Sequence, residues 1–554
     1  MMGKGDGVRP RRGVARSGGA GSGGGLSVVA VAFLGSLLQL ACGEAPPPLP
    51  VHGAGGTVAM AASSGGSGGG SGGAVPVPLD LGDCTYDPAF EAAVRVELTA
   101  SSKTSVLELT DLRIETPLAS IAGIECLVNL AGLSLGQERL EGDFAVIDLS
   151  PASELEGLRS VSLAGLAFSH LQAVQRVTYL GLYSIEIDSL DPLAEFSQLT
   201  TLSLYDLAFS ELPSLAKSTA LTTAFIEQMP VSDLTPLGNL PALEMLFLRE
   251  LDFPTFAGLS NLPLLHQLDL HDLPFESFEG LANLPSLKTL TITDCPAVES
   301  LDGLEGLENL SSFSTESSPN ISDLSSLAEM PSLQILALHG SRVSDLAPVA
   351  QCPALRGLSL PDSQVVELGP LAGHPSLTHL DVSGNQITDL TPLAGLALLN
   401  LDIVANQVES IESLTGLPLR SLAISRNPIA SLAPIATLTE LRLLAMLGVG
   451  ATSLDFLQGL AITALNASDN QISDVDALVM PFSSLYLNDN QIVELPEGFV
   501  GAIGEPGGCV ETELKGNPLG PAADALLREL CASGGGDSGY VWDAGECRAI
   551  CIVT

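Results

Sequence analysis

Positive charge is what this chain has least of: 22 lysines and arginines stand against 64 aspartates and glutamates in 554 residues, a formal net charge of −42. Phosphate backbones are held by clustered lysine and arginine, so such a surface repels nucleic acid. The acidity reads first as a solvated, soluble exterior. Aromatic residues are also scarce, at 4% with a single tryptophan. Aliphatic side chains must therefore build the core, and the place of each aromatic becomes informative. Catalytic and metal-binding patterns are missing too. The seven histidines do not cluster, and there is neither H-E-x-x-H nor an acidic calcium loop with its glycine. G-L-S-L-G at 132–136 spells a nucleophile elbow, but that motif needs a sharp strand-to-helix turn. Ser134 instead falls in the middle of a repeating strand pattern. The sequence reads as a non-enzyme with no cofactor and no metal.

What is present begins with an export signal. Lys4, Arg9, Arg11, Arg12 and Arg16 precede an apolar run from Leu26 to Ala41 that ends at Cys42. The run is shorter than the ~20 apolar residues a membrane span uses and is interrupted by Ser27, Ser36 and Gln39. L-Q-L-A-C at 38–42 resembles a bacterial lipoprotein processing site, with Gln39 where that family usually has leucine. The resemblance implies lipidation of Cys42 and attachment to the cell envelope, the outer membrane first; ordinary secretion and a retained helix are the alternatives. Residues 42–79 are rich in Gly, Ser, Pro and Ala, with S-S-G-G-S-G-G-G-S-G-G at 63–73, and predict a disordered tether with a reach of roughly 30–36 Å.

The body of the chain is a repeat. Short L-x-L cores start at Leu133, Val161, Leu180, Leu202, Ala224, Leu246, Leu268, Leu290, Phe313, Leu336, Leu358, Leu380, Leu401, Leu422, Leu444, Leu465 and Leu485. From Leu180 onward every step is 20 to 23 residues. In each core the flanking pair points inward and the middle residue outward, as a strand requires. The following turn, such as D-L-T-P-L at 389–393, suits a short helical turn opened by proline. One unit cannot bury its own leucines, so neighbours must stack. The 28-residue step from Leu133 to Val161 predicts a bulged loop.

These residues resemble the leucine-rich-repeat family, in particular the 22-residue type of bacterial internalins. The segment L-D-V-S-G-N-Q-I-T-D-L-T-P-L-A-G-L at 380–396 carries the likeness most clearly, and D-P-A-F-E-A-A-V-R-V-E-L at 87–98 resembles the helical cap that precedes such repeats. The resemblance spans roughly residues 84–520. It implies an α/β repeat fold: a solenoid with parallel strands on the concave face, short helical turns on the convex face and caps at both ends. The organisation that follows is a signal peptide (1–41), lipidated cysteine and tether (42–79), N-terminal cap and first repeat (80–126), solenoid (127–505) and C-terminal cap (506–554). The family places Asn five residues after the first core leucine. Asn385, Asn406, Asn427, Asn470, Asn490 and Asn517 comply, whereas Leu166, Ile185, Leu207, Met229, Leu251 and Leu273 depart. An apolar side chain cannot satisfy the turn's backbone, so the two halves should differ in turn geometry and curvature.

Nine cysteines become eight if Cys42 is lipidated. Cys295 and Cys352 fall on buried repeat positions and read as core thiols. Cys84 and Cys126 bracket the N-terminal cap, and Cys509, Cys531, Cys547 and Cys551 lie in the last 50 residues. Disulfides at the open ends suit an exported repeat protein; a zinc site from the last four is the alternative.

The same register sorts outward side chains. Tyr179, Tyr183, Tyr205, Phe225, Phe247 and Tyr486 all fall on the concave face, as do His271, His339 and His379. Tyr183 and Tyr205 share one column with Glu227, Arg249 and His271; Phe225 and Phe247 share the next with Asp269. Clustered exposed aromatics beside an arginine match the composition of a binding hot spot, although stacking could instead stabilise the strand ladder. The reading is a cell-envelope recognition protein that binds a protein or peptide at Tyr179, Tyr183, Tyr205, Phe225, Glu227, Phe247, Arg249, Asp269 and His271. A structural envelope protein without a ligand and a glycan binder using the aromatic strip are the alternatives.

Overall fold

A computed structural model describes residues 80–553 apart from short segments, the longest being 137–144 and 500–510. The expected signal peptide, lipidated Cys42 and tether lie outside the described residues. The first helix among the described residues is α1 (Pro88–Ala100). Asp87 caps it by accepting the Ala89 and Phe90 N–H groups, and proline stands at the first helical position. Its apolar stripe of Phe90, Val94 and Leu98 is buried against the first repeat, which closes the hydrophobic end of the stack.

Each L-x-L core then forms one strand of a continuous sheet, 21 strands among the described residues. Successive cores are parallel and in register: Leu112, Leu133, Val161, Leu180, Leu202, Ala224 and Leu246 are consecutive Cα partners. The alignment continues through Leu268, Leu290 and Phe313 to Leu485. Every core position in the repeat register is met, and one further unit at Leu112 precedes them. The flanking core side chains are buried along the whole length, each contributing about 1.5–3 kcal/mol relative to exposure. The chain returns through 3-10 turns such as Thr391–Leu393, where the Asp389 carboxylate accepts the Thr391 N–H. The same cap recurs at Asp233, Asp323, Asp345 and Asp474. These five of the chain's 64 acidic residues thus serve the turns.

Ser134 sits mid-strand in Gly132–Gly136, in no turn at all. The long step after Leu133 contains a strand, Val146–Asp148, that pairs with Ala167–Ser169, which in turn pairs with Glu186–Ile187. Nothing in the L-x-L pattern predicts this second, three-stranded parallel sheet. At the far end, α2 (Pro521–Ser533) is followed by an antiparallel pair, Ser538–Asp543 and Arg548–Val553. Arg548–Val553 adds antiparallel to Glu511–Glu513, the last parallel strand.

Cys295 and Cys352 are free and buried. Burial is the main reason both thiols titrate high, Cys295 at about 11, so neither is a nucleophile near neutrality. Cys126 is disulfide-bonded. Cys84, Cys509 and Cys547 lie outside the described residues, and Cys531 and Cys551 stand in α2 and the final strand. Among the described residues no group of three or more metal-binding side chains converges, and no helix is long and apolar enough to cross a membrane.

The departure at the asparagine position has a structural counterpart. Where Asn is present, its amide donates to three carbonyls: Asn406 reaches Val382, Ile403 and Val404, and its oxygen accepts the Ile387 N–H. The Val382 carbonyl, taken by Asn385 and Asn406, is no longer available to extend the ladder. Strands there are three residues long, as in His379–Asp381 and Asn400–Asp402. Where a repeat and its successor are both apolar at that position, strands such as Thr201–Tyr205 and Met245–Arg249 run to five; Leu443–Ala445, followed by Val449, is held to three because Asn470 of the next repeat takes the Met446 carbonyl.

Candidate binding face

The expected aromatic strip is assembled as the register requires. Tyr183 lies beside Tyr205, and Phe225 beside Phe247, as direct Cα partners on adjacent strands. Tyr205, Glu227, Arg249 and His271 follow one another in the neighbouring column. Both phenylalanines are half-buried, and their rings stack with centroids 4.5 Å apart and planes 13° from parallel. Each ring covers a face of the other, so the pair gives up less burial than two isolated exposed phenylalanines.

The tyrosines are arranged differently from a simple stack. Tyr183 folds back along its own strand, and its hydroxyl lies 2.7 Å from that of Tyr179. Gly181 makes room: a Cβ there would stand 2.5 Å from the Tyr183 ring. Desolvation is the main cause that holds the Tyr179 hydroxyl well above its ordinary value, with the Tyr183 hydrogen bond second. The Tyr179 phenol thus keeps its proton at any physiological pH.

Glu227 does not take Arg249 as its partner. The guanidinium instead reaches Glu250, the next residue in the chain, at 3.3 Å. Glu250 also accepts from Gln228 at 2.9 Å. Glu250 therefore belongs to the Arg249 cluster, although the L-x-L rule does not reach it, because it follows the strand at a left-handed residue (φ 50°). Glu227 is half-buried, and desolvation raises its pKa more than Arg249 lowers it. Asp269 accepts from Gln267 at 2.7 Å and is raised chiefly by burial. His271 stands 3.8 Å from Asp294 through Nε2, while its Nδ1 is buried without a partner. Tyr486 faces the same way but lies many strands off, and His339 and His379 belong to a separate region of the same face.

Behind the strip, the core switches from aliphatic to aromatic. Phe253 and Phe275 stack at 6.5 Å and Phe256 and Phe278 at 6.2 Å, with edge-on contacts between the pairs. All four are fully buried. Phenylalanines recurring at one repeat spacing are the signal of this ladder in the sequence.

Parallel L-x-L strands on one face with short turns behind them define a leucine-rich-repeat solenoid. A leucine-rich-repeat family profile matches residues 373–390. The fold is similar to an internalin, InlF, of Listeria monocytogenes (22% identity, 71% of this chain and 92% of that one, TM-score 0.38). It is also similar to a leucine-rich-repeat protein of Leptospira interrogans (18%, 76% and 94%, TM-score 0.46). A plant peptide hormone receptor, RGFR1, solved with RGF2, is a third (16%, 72% and 65%, TM-score 0.42). No curated protein matches the chain in sequence.

Proposed function

We propose that this chain is a non-catalytic recognition module that binds a protein or peptide on its concave face, exported and held at the cell envelope through lipidated Cys42. The observation that carries the binding reading is the Phe225–Phe247 stack, half-exposed on adjacent strands next to Arg249. Unlike the buried phenylalanines behind it, this pair contributes to the surface a partner would meet. Large, rigid aromatics beside an arginine are the residues that dominate binding energy. Phe225→Ala with Phe247→Ala should weaken partner capture at least tenfold in a crosslinking pull-down from the cell of origin. Thermal unfolding should barely move, since the rings lie outside the core. Undiminished capture with a large loss of stability would establish ladder stacking as their only role. Capture abolished by free sugar would assign the strip to glycans instead.

A further inference from the structure

A second feature of the concave face lies where the strands shorten. Asp381 and Asp402 occupy the middle, outward position of adjacent L-x-L cores, and their Cα atoms are direct partners. Asp402 is only 5% exposed. One of its oxygens accepts the Val404 N–H at 2.9 Å. Asp381 accepts from the Ser383 N–H and hydroxyl and from the Ser359 hydroxyl. No lysine or arginine forms an ion pair with either among the described residues. Two neighbouring carboxylates without a counter-ion destabilise a fold, and asparagine would keep much of the hydrogen bonding at lower cost. The next strands along the same face carry short side chains. Ala423 and Ala445 are fully buried against Val404 and Leu443, whose half-buried side chains are the apolar surface there. Ser421, on the same face one strand on, is 3% exposed and its hydroxyl has no partner.

We infer that Asp381 and Asp402 form a cation socket that takes the ammonium or guanidinium group of a lysine or arginine on the bound polypeptide. The methylene stem lies on the half-buried Val404 and Leu443 side chains, as long basic side chains cover apolar surface while keeping their charge on a polar partner. Ser421 supplies an acceptor for a remaining N–H. This rests on the reading that the concave face holds a polypeptide. The occupant is a basic segment because the socket supplies two acceptor carboxylates and no counter-charge. Phe247 and Asp381 stand six strands apart, about 29 Å at 4.8 Å per strand. An extended segment of about nine residues spans both points.

The socket is also pH-sensitive. Desolvation, with Asp381 second, pushes the Asp402 carboxyl up to about 7, and desolvation raises Asp381 as well. The other titratable groups on this face are His339, which favours the charged form of Asp381, and His379, whose pKa burial lowers. Arg356, Asp362, Arg420 and Arg426, around the strand ends, are exposed; the Asn400 and Ser421 strands carry no other charge toward the pair. At pH 6 the pair holds a proton that a bound cation must displace, and at pH 8 it does not. Affinity therefore rises with pH.

The test uses a random 16-residue peptide display library panned on the full chain at pH 8, each enriched peptide then being measured on wild type, on the Asp381→Asn, Asp402→Asn variant and on the Phe225→Ala, Phe247→Ala variant. Enriched peptides should carry lysine or arginine beside an aliphatic residue. They should bind the double variant at least tenfold more weakly, and wild type several-fold more weakly at pH 6 than at pH 8. Glu154→Gln with Glu156→Gln removes the same charge from an exposed turn and should leave affinity within twofold. Equal loss in both double variants would reduce the effect to bulk charge and overturn the socket. Peptides without basic residues, lost only on Phe225→Ala with Phe247→Ala, would overturn the socket while leaving the binding reading intact. A library yielding no concave-face binder would overturn both. Thermal melts of the double variant guard against misfolding, and its stability should equal or exceed wild type at pH 8.

Discussion

Single residues here do one of two opposite jobs at equivalent positions. Asn406 ties four backbone groups of two adjacent repeats together, and Asn406→Leu would leave them buried and unpaired. At about 1–3 kcal/mol for an unsatisfied buried group, a loss of several kcal/mol in urea unfolding is expected, with local amide exchange accelerating around residues 382–404. Leu251→Asn, the reverse change in the other half, should also destabilise, because the pocket there is lined for a fully buried leucine. Gly181→Ala displaces the Tyr183 ring and should expose Tyr179, which fluorescence quenching or phenol ionisation by absorbance would detect as a fall toward the ordinary tyrosine value. Asp402 supplies a signed pH dependence. Its folded pKa, about 7, lies above the unfolded value, so the native state binds the extra proton between roughly pH 4 and 7 and loses that advantage as pH rises. Asp402→Asn should therefore raise the melting temperature by about 2–4 °C at pH 8 and by little or nothing at pH 4. A variant that melts lower at pH 8 would show that the carboxylate stabilises the ladder.

At the scale of elements, the asparagine pattern sets strand length. Amides that capture the carbonyl just beyond the L-x-L core stop strand pairing after three residues, whereas apolar side chains leave it free to run to five. The longer strands present more outward positions, and the tyrosine, phenylalanine and arginine side chains of the strip all sit on them. Their support is the aromatic core behind. Phe275 contacts Phe253, Phe256 and Phe278, so Phe275→Ala should cost about 3–5 kcal/mol. Because repeats unfold through their neighbours, calorimetry should show the loss as a separated, earlier transition of the surrounding repeats rather than a uniform shift.

Across the whole molecule, one sheet runs from the first repeat to the terminal antiparallel strand, and both of its ends are covered. α1 shields the leucines of the first repeat, and Arg548–Val553 pairs with the last exposed edge, which would otherwise template association. The net charge of −42 keeps such a long body soluble. The proposed anchoring is tested at this scale: Cys42→Ala should move the protein from the membrane to the soluble fraction in the absence of detergent. Identical fractionation of wild type and variant would remove the anchor from the reading.

The inside and outside of every repeat are legible in the sequence, because strand alternation is local and a fixed 20–23-residue period leaves only one stacking register. That register by itself puts Tyr183, Tyr205, Phe225, Phe247 and Arg249 on one face. What each outward side chain does there is not legible. Tyr183 turns to Tyr179 because Gly181 leaves a gap, Arg249 finds Glu250 beyond the strand end, and Asp402 is dried out by residues one repeat away on either side. The Val146–Asp148 sheet and the Phe253–Phe278 ladder likewise exist only once repeats touch. Periodicity decides which way a side chain points, and the neighbours that decide its partner, its burial and its charge belong to other repeats, brought into contact only by the tertiary stack.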